Sequence, residues 1–319
     1  MDMLMPAEDY DAVLFHMYYF WLSPLPLLTK GTLPARRSPH QRYIFFILEA
    51  PPMAGISFRY TGGLFNWTMT YRQDSDIAWP YAEFVPLGDT PAPARGWLPA
   101  PAAPIAPTAA ALESIDPSRK EEDKVLVAWL VSNCHTQSRR EDYVRELSKH
   151  IRVDVYGKCA ARPWPKDDVE GFYRTLSANY TFYLSFENSL CRDYVTEKFF
   201  KVLPLDVVPV VYGGANYSAI APPHSYIDAR DFASPRRLAR YLRYLARHPQ
   251  ELAKFSWWKR HYRVVPFPAS SLCRLCSRLH DPGPPGAYAD VQRWYSGPGV
   301  CQQPRVQWGG SAEEAQGID

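Results

Sequence analysis

No segment of this chain has both the length and the apolarity of a bilayer span. The longest apolar run, Ala12 to Leu28, is interrupted by His16, Pro24 and Pro26. It is shorter and more polar than the roughly 20 residues a membrane helix requires, and the N-terminus does not read as a signal peptide. An excess of one charge is also missing: 36 Lys and Arg are balanced by 33 Asp and Glu, and the net +3 is scattered. That excludes a basic surface for nucleic acid. No second C-x-x-C joins the one at Cys273 and Cys276, which argues against a four-cysteine zinc site. Internal repeats are absent, which excludes solenoids and propellers.

What is present suits a folded α/β protein. The chain has 319 residues and 46% hydrophobic content, enough for a packed core in two domains. Aromatics at 14% suit carbohydrate handling and core packing equally. Residues 11–16 and 43–48 are continuous apolar runs, as buried parallel strands tend to be. From Pro86 to Pro117 the chain is rich in Pro and Ala, the composition of an extended linker. The charged run Arg119 to Lys124 reads as a solvated face. Strands at 125–131, 153–156, 181–185 and 207–212 then alternate with helices at 138–150, 167–177, 234–247 and 249–261, the pattern of parallel βαβ units. Pro209 would normally demote a central strand. The expected division is residues 1–85, a linker at 86–123, a second domain at 124–280 and an irregular tail at 281–319.

The most informative stretch is Phe182 to Gly214, FYLSFENSLCRDYVTEKFFKVLPLDVVPVVYGG. It reads as strand, loop, helix, strand. Ligands of open α/β sheets sit at the carboxyl ends of strands and the N-termini of the helices that follow. A helix N-terminus with Lys198 in its first turn would suit a diphosphate without a metal.

This stretch resembles the signature of the α1,3-fucosyltransferases, FxLxFENS…DYVTEK…VPVVxG, and the resemblance extends more loosely from about Asp11 to about Cys276. It implies a GT-B-like α/β fold, a pair of facing Rossmann-like domains with parallel sheets, the first of them incomplete. It implies inverting transfer of L-fucose from GDP-fucose to a glycan hydroxyl. It also implies no obligatory metal, with a divalent cation at most stimulatory. Family members are typically type II Golgi membrane proteins, so the resemblance implies a chain truncated at its N-terminus, with the membrane anchor expected in the full-length protein. The block Val208 to Ala229 looks like invertebrate members, which points to a GlcNAc of a glycoprotein glycan, specifically the N-glycan core. Transfer to an outer lactosamine and a catalytically inactive GDP-sugar-binding fragment remain alternatives, the latter suggested by the missing N-terminal part and by Ala82 where the family has Gly.

Inverting transfer needs a base for the attacking hydroxyl and positive groups for the leaving diphosphate. Glu49 is the candidate base: it ends the strand at 43–48, precedes a Pro-rich turn, and matches the family's strand–ES/AP block. Without the resemblance, Glu49 would read as a loop cap. Lys198 and Arg139 would hold the diphosphate, with Arg140 adjacent and the register open by one. Glu187, Asn188, Tyr194 and Glu197 complete the donor set. Alternatives stand beside each: a Glu197–Lys201 surface pair at i, i+4, Asn188 bonding its own loop, Tyr194 as helix packing. Asp193 reads as the helix N-cap. Asp74-Ser75-Asp76 looks like the metal-binding D-x-D of another transferase class, but it lies in a block these enzymes share without using it so; a structural or acceptor-side role is expected. His16 and His135 read as core or loop histidines. Tyr18, Tyr19, Phe20 and Trp21 suit acceptor stacking or core packing.

Three N-glycosylation sequons begin at Asn66, Asn179 and Asn216. Together with six cysteines and the resemblance they point to the Golgi lumen, where disulfides persist. In the family, cysteines placed like Cys273 and Cys276 pair with earlier ones. This chain has none before Cys134, so three options stay open: a bond between the two, a bond to Cys301, or free thiols.

Overall fold

The structure, a computed structural model, describes residues 6–17, 34, 36–56, 58, 61–92, 96–100, 126–160, 163–165, 167–283 and 286–304. Tyr18 to Trp21, the charged run 119–124 and residues 305–319 lie outside them. In chain order the elements are β1 (Ala12–His16), β2 (Arg42–Ile47), α1 (Pro51–Ala54), β3 (Trp67–Thr70), β4 (Ile77–Ala78), β5 (Ala82–Pro86), β6 (Val127–Leu130), α2 (Arg140–Leu147), β7 (Val153–Tyr156), α3 (Val169–Asn179) and β8 (Phe182–Phe186). They continue with α4 (Glu197–Phe200), β9 (Val208–Tyr212), α5 (Tyr217–Ile220), β10 (Ile227–Asp228), α6 (Pro235–Arg247), α7 (Pro249–Ala253), β11 (Tyr262–Pro266), α8 (Ser270–His280) and α9 (Val291–Ser296). The helix expected at 249–261 is α7 followed by a 3-10 turn, Lys254–Arg260. No helix among the described residues is long and apolar enough to cross a membrane.

The chain forms two compact units. The described residues of 1–83, 191–195 and 266–302 make unit 1; those of 84–190, 196–265 and 303–304 make unit 2. The compact units therefore cut the chain differently from the contiguous expectation of 1–85, 86–123, 124–280 and 281–319. Two short segments far along the sequence return to unit 1 because their large side chains are buried there.

Unit 1 is a parallel sheet in the order β1-β2-β3-β4. β2 is buried on both faces, which is why its sequence is a continuous apolar run. One face packs Phe15, Tyr43, Phe45 and Phe65 with Val291 and Tyr295 of α9. The other packs Ile44, Phe46, Trp67 and Met69 with Leu275 and Leu279 of α8. The tail expected to be irregular thus contributes a core helix. With only six residues, α9 shows too few turns to be seen as a period, although Asp290 caps it by accepting from the Arg293 N–H at 2.8 Å.

Unit 2 is a parallel sheet in the order β10-β9-β8-β6-β7. Side chains of β8 alternate: Phe182, Leu184 and Phe186 pack with α2 and α6, and Tyr183 packs with Phe172 and Leu176 of α3. α6 carries Leu238, Leu242 and Leu245 inward and is capped by Ser234 with Pro235 at its first position. The β9 strand accommodates Pro209. Its neighbour Val208 donates to Thr181 O on the β8 side, so position 209 points to the β10 side, and β10 begins only opposite Val210. No ladder bond is lost. The described start of the expected linker is packed: the Trp97 indole donates to Ser218 O at 3.1 Å and sits edge-on to Phe84 and Tyr262.

Candidate active site

Strand order locates the unit 2 site. Numbered within the unit, β6, β7, β8, β9 and β10 run 2-1-3-4-5 across the sheet, so the connections diverge after β6 and β8. Ligands of open parallel sheets bind at such a switch point, outside the carboxyl ends of the two strands. Here those ends are the loops from Ser132 and from Glu187. They are tied together: Ser138 N donates to Asn188 O at 3.0 Å, Ser138 Oγ to Glu187 O at 2.7 Å, and Arg140 Nη1 to Phe186 O at 2.5 Å.

Around this point the signature residues form a charged cluster. Glu187 is 0% exposed and accepts from Thr196 N at 2.8 Å and from Thr196 Oγ1. The Lys198 ammonium lies 3.5 Å from Glu187, 3.1 Å from Glu197 and 2.9 Å from Thr196 Oγ1. Burial opposes the charge on Lys198, but the two carboxylates outweigh it and hold the ammonium above its ordinary value. Burial pushes Glu187 up, against Lys198 and the Thr196 donors. Burial also opposes charge on Glu197, which Lys198 nevertheless holds below its usual range. The expected Glu197–Lys201 pair gives way to this arrangement: Glu197 bonds Lys198, while the Lys201 ammonium lies 5.9 Å over the Tyr173 ring.

Three expectations for this region change. The helix is α4, four residues capped by Thr196 and not by Asp193; Asp193 sits earlier, at φ +61°, and accepts from Gln73 N. So short a helix adds little dipole, and the positive charge is that of Lys198 itself. Glu187, expected to line the pocket, is fully enclosed and lies 3.5 Å from the Lys198 ammonium. Arg139 caps α2 in the left-handed region at φ +52° and pairs with Asp142 at 2.5 Å, whereas the adjacent Arg140 is buried at the end of β8. Sequence spacing alone could not choose between these neighbours.

Asn188 is 9% exposed, and its Oδ1 has no hydrogen-bond partner among the described residues; Ser189 Oγ is likewise unpartnered. The amide oxygen of Asn188 therefore does not bond its own loop as one alternative held. A cavity of about 390 Å³ opens at the ends of β6 and β7, lined by Leu130, Ser132, Gly157, Lys158, Trp164 and Val169 among others. Gly157 is required there: φ is +96°, and a Cβ would meet Val131 O at 2.6 Å.

In unit 1, Glu49 follows β2. Tyr194 is placed there too: its hydroxyl donates to Glu49 Oε2 at 3.1 Å. Tyr295 donates to Glu49 O at 2.6 Å and Tyr81 to Leu48 O at 2.9 Å. Tyr194 precedes α4 in the sequence and is not on the helix. Asp74 and Asp76 both serve the fold. Asp74 accepts from Arg72 Nε at 2.8 Å and Nη2 at 2.7 Å, and pairs with Arg192. Asp76 accepts from Thr68 N, Thr68 Oγ1 and Tyr288 Oη. His16 packs edge-on against Phe46 and His135 is an exposed loop residue.

Asn179 and Asn216 are exposed, and Ser218 Oγ donates to Asn216 Oδ1. Asn66 differs: Nδ2 donates to Gly286 O at 2.7 Å and Oδ1 accepts from Tyr43 N. Cys134 pairs with Cys159 and Cys191 with Cys301, so Cys301 is not available to the C-x-x-C; Cys273 and Cys276 are exposed free thiols.

The chain is also similar to known proteins along most of its length. Residues 119–294 match the family described as glycosyltransferase family 10 (fucosyltransferase) C-term, and residues 3–82 match fucosyltransferase, N-terminal. Alpha-(1,3)-fucosyltransferase C of Drosophila melanogaster is 39% identical over 299 residues, 91% of this chain and 67% of the relative. Glycoprotein 3-alpha-L-fucosyltransferase A of the same organism is 36% identical over 242 residues, 74% of this chain and 44% of the relative. The Homo sapiens 4-galactosyl-N-acetylglucosaminide 3-alpha-L-fucosyltransferase FUT5 is 35% identical over 290 residues, 90% of this chain and 69% of the relative. A crystal structure of an alpha1,3-fucosyltransferase with GDP-fucose shares the fold at TM-score 0.51 and 17% identity, covering 89% of this chain and 81% of that one. The chain belongs to glycosyltransferase family 10, the fucosyltransferases.

Proposed function

We propose that this chain transfers L-fucose from GDP-fucose to the 3-hydroxyl of a GlcNAc in the N-glycan core of glycoproteins, by a single inverting displacement. The observation that carries the donor side is the Lys198 ammonium at the unit 2 switch point, kept charged by Glu187 and Glu197. A diphosphate leaving group needs such a charge. Asn188, whose amide oxygen is buried and unpartnered, offers a further polar contact to the nucleotide sugar. The cavity at the ends of β6 and β7 suits the base and ribose, with the Trp164 indole and the apolar Leu130 and Val169 among its walls. Arg140 reinforces the positive field, and Glu187 and Thr196 orient Lys198.

The acceptor hydroxyl loses its proton to Glu49 as its oxygen bonds the anomeric carbon and the bond to GDP breaks. No metal is obligatory in this reading. Two disulfides and the exposed sequons Asn179 and Asn216 support a site of action in the Golgi lumen. The engaged amide of Asn66 makes it the weakest of the three acceptor asparagines. The core acceptor is supported by the relative named glycoprotein 3-alpha-L-fucosyltransferase A. A second reading, transfer to GlcNAc within an outer lactosamine, is supported by the human relative's name.

The test incubates secreted protein with GDP-fucose, core N-glycan and lactosamine acceptors, with and without chelator, and weighs the products. One added deoxyhexose on the core glycan, undiminished by chelator, is expected. Addition to lactosamine alone would transfer the assignment to the second reading. No addition from folded protein that still binds GDP would leave a nucleotide-sugar-binding fragment.

A further inference from the structure

The loop at residues 191–195 is the least expected placement in the chain. It lies between β8 and α4, both in unit 2, yet belongs to unit 1. Several bonds hold it there. Cys191 is disulfide-bonded to Cys301 and bridges it in antiparallel fashion, and Arg192 N donates to Val300 O at 2.8 Å. Arg192 pairs with Asp74, which Arg72 grips from the other side. Asp193 adopts the left-handed region and receives Gln73 N. The product of this clasp is the position of Tyr194. Its ring is 1% exposed and lies edge-on to Tyr71 at 5.0 Å and near Tyr81 at 6.4 Å; its hydroxyl reaches Glu49 Oε2.

We propose that Tyr194 is a positioning residue for Glu49, aiming one carboxylate oxygen by its hydroxyl donation, and that the Cys191–Cys301 disulfide and the Asp74–Arg192 pair hold Tyr194 in place for that purpose. This rests on the reading of Glu49 as the base. It gives Asp74 and the D-Y-V part of the signature a common task in unit 1, where the sequence suggested a structural or acceptor-side role and a donor contact.

The groups that face Glu49 among the described residues of unit 1 are consistent with this. Tyr194 and Tyr295 donate to Glu49 and Tyr71 interacts with it electrostatically, while Tyr81, Arg72, Asp74 and Asp193 interact in turn with Tyr71 or Tyr295. Burial pushes the Tyr71 and Tyr295 hydroxyls up, so they stay protonated. A hydroxyl that donates to a carboxylate stabilises its charged form and lowers its pKa. A shift of half to one pH unit is a three- to tenfold change, roughly 0.7–1.4 kcal/mol, within the net contribution of one hydrogen bond.

The test measures kcat and KM for GDP-fucose as functions of pH for Tyr194→Phe, Asp74→Asn and Glu49→Gln, with thermal melts as a check on folding. Tyr194→Phe is expected to move the acid limb of kcat up by about half to one pH unit. Activity would then fall roughly three- to tenfold on the acid side, with the plateau and the donor KM within about twofold. Asp74→Asn, which leaves Glu49 untouched, should shift the limb in the same direction by less. An acid limb that stays in place in folded Tyr194→Phe, or a donor KM that rises instead, overturns the inference and returns Tyr194 to the donor. Glu49→Gln separates the two readings: if it retains kcat, the base assignment itself falls. If it loses about a hundredfold or more while still binding GDP, the base stands and the role of Tyr194 is decided by its own pH profile.

Discussion

Lys198 illustrates how one side chain is fixed by its surroundings. Its ammonium contacts two carboxylates and a threonine hydroxyl, and its N–H is capped by Thr196. Lys198→Ala should weaken GDP binding roughly 10- to 100-fold by calorimetry, the value of a charge-assisted bond. It should also lower the melting temperature, because Glu187 would be left buried without its cation. Adding Glu187→Gln to Lys198→Ala should restore much of the melting temperature and none of the GDP affinity. If affinity returned as well, Lys198 would be a structural cation and not a donor ligand. The roles of these residues were only partly legible in the sequence. The spacing T-E-K announced Thr196, Glu197 and Lys198 together, but nothing in a linear pattern states that Glu187 is enclosed, or that Arg140 turns inward where Arg139 turns out. Those outcomes depend on which side of each loop faces the sheet.

At the scale of elements, the parallel strands were the clearest expectation, because burial on both faces writes itself as near-continuous apolar runs in β2, β6, β8 and β9. α6 was equally plain, from its Ser-Pro start and its leucine period. Leu242 is fully buried at the centre of that period. Leu242→Ala should cost about 3 kcal/mol and Ser234→Ala about 1 kcal/mol, so the first should depress the melting transition distinctly more than the second. Equal shifts would mean that α6 is held by its cap and not by its packing. α4 and α9 escaped their expected forms for the same reason: with four and six residues they have no room for a period, and contacts from elsewhere in the chain stabilise them.

For the whole molecule, the Cys191–Cys301 disulfide ties two distant segments of unit 1 together. Cys191 and Cys301 are 110 residues apart, and closing a loop of that length is worth about 4–5 kcal/mol in the chain-entropy account. Cys301→Ser should therefore lower the melting temperature substantially. Peptide mapping without reduction should find Cys134 joined to Cys159 and Cys191 joined to Cys301, with alkylation confined to Cys273 and Cys276. Recovery of Cys273 joined to Cys276, or of either joined to Cys301, would refute the pairing.

The sequence by itself determined the α/β class, the parallel strands of both units, the family signature from Phe182 to Gly214 and the identity of Glu49, Asn188, Tyr194 and Lys198 as residues of interest. The class and the strands follow from local composition and period, which a chain carries wherever it goes; the site residues follow from the resemblance of the strand–ES/AP block and of the stretch Phe182 to Gly214 to the family. Only the tertiary structure decided the strand order that places the switch point after β6 and β8. It alone returned 191–195 and 266–302 to unit 1, and set Tyr194 against Glu49 at a sequence separation of 145. Those are long-range contacts, selected by which buried surfaces and hydrogen bonds can be satisfied together, and no single stretch of sequence contains that information.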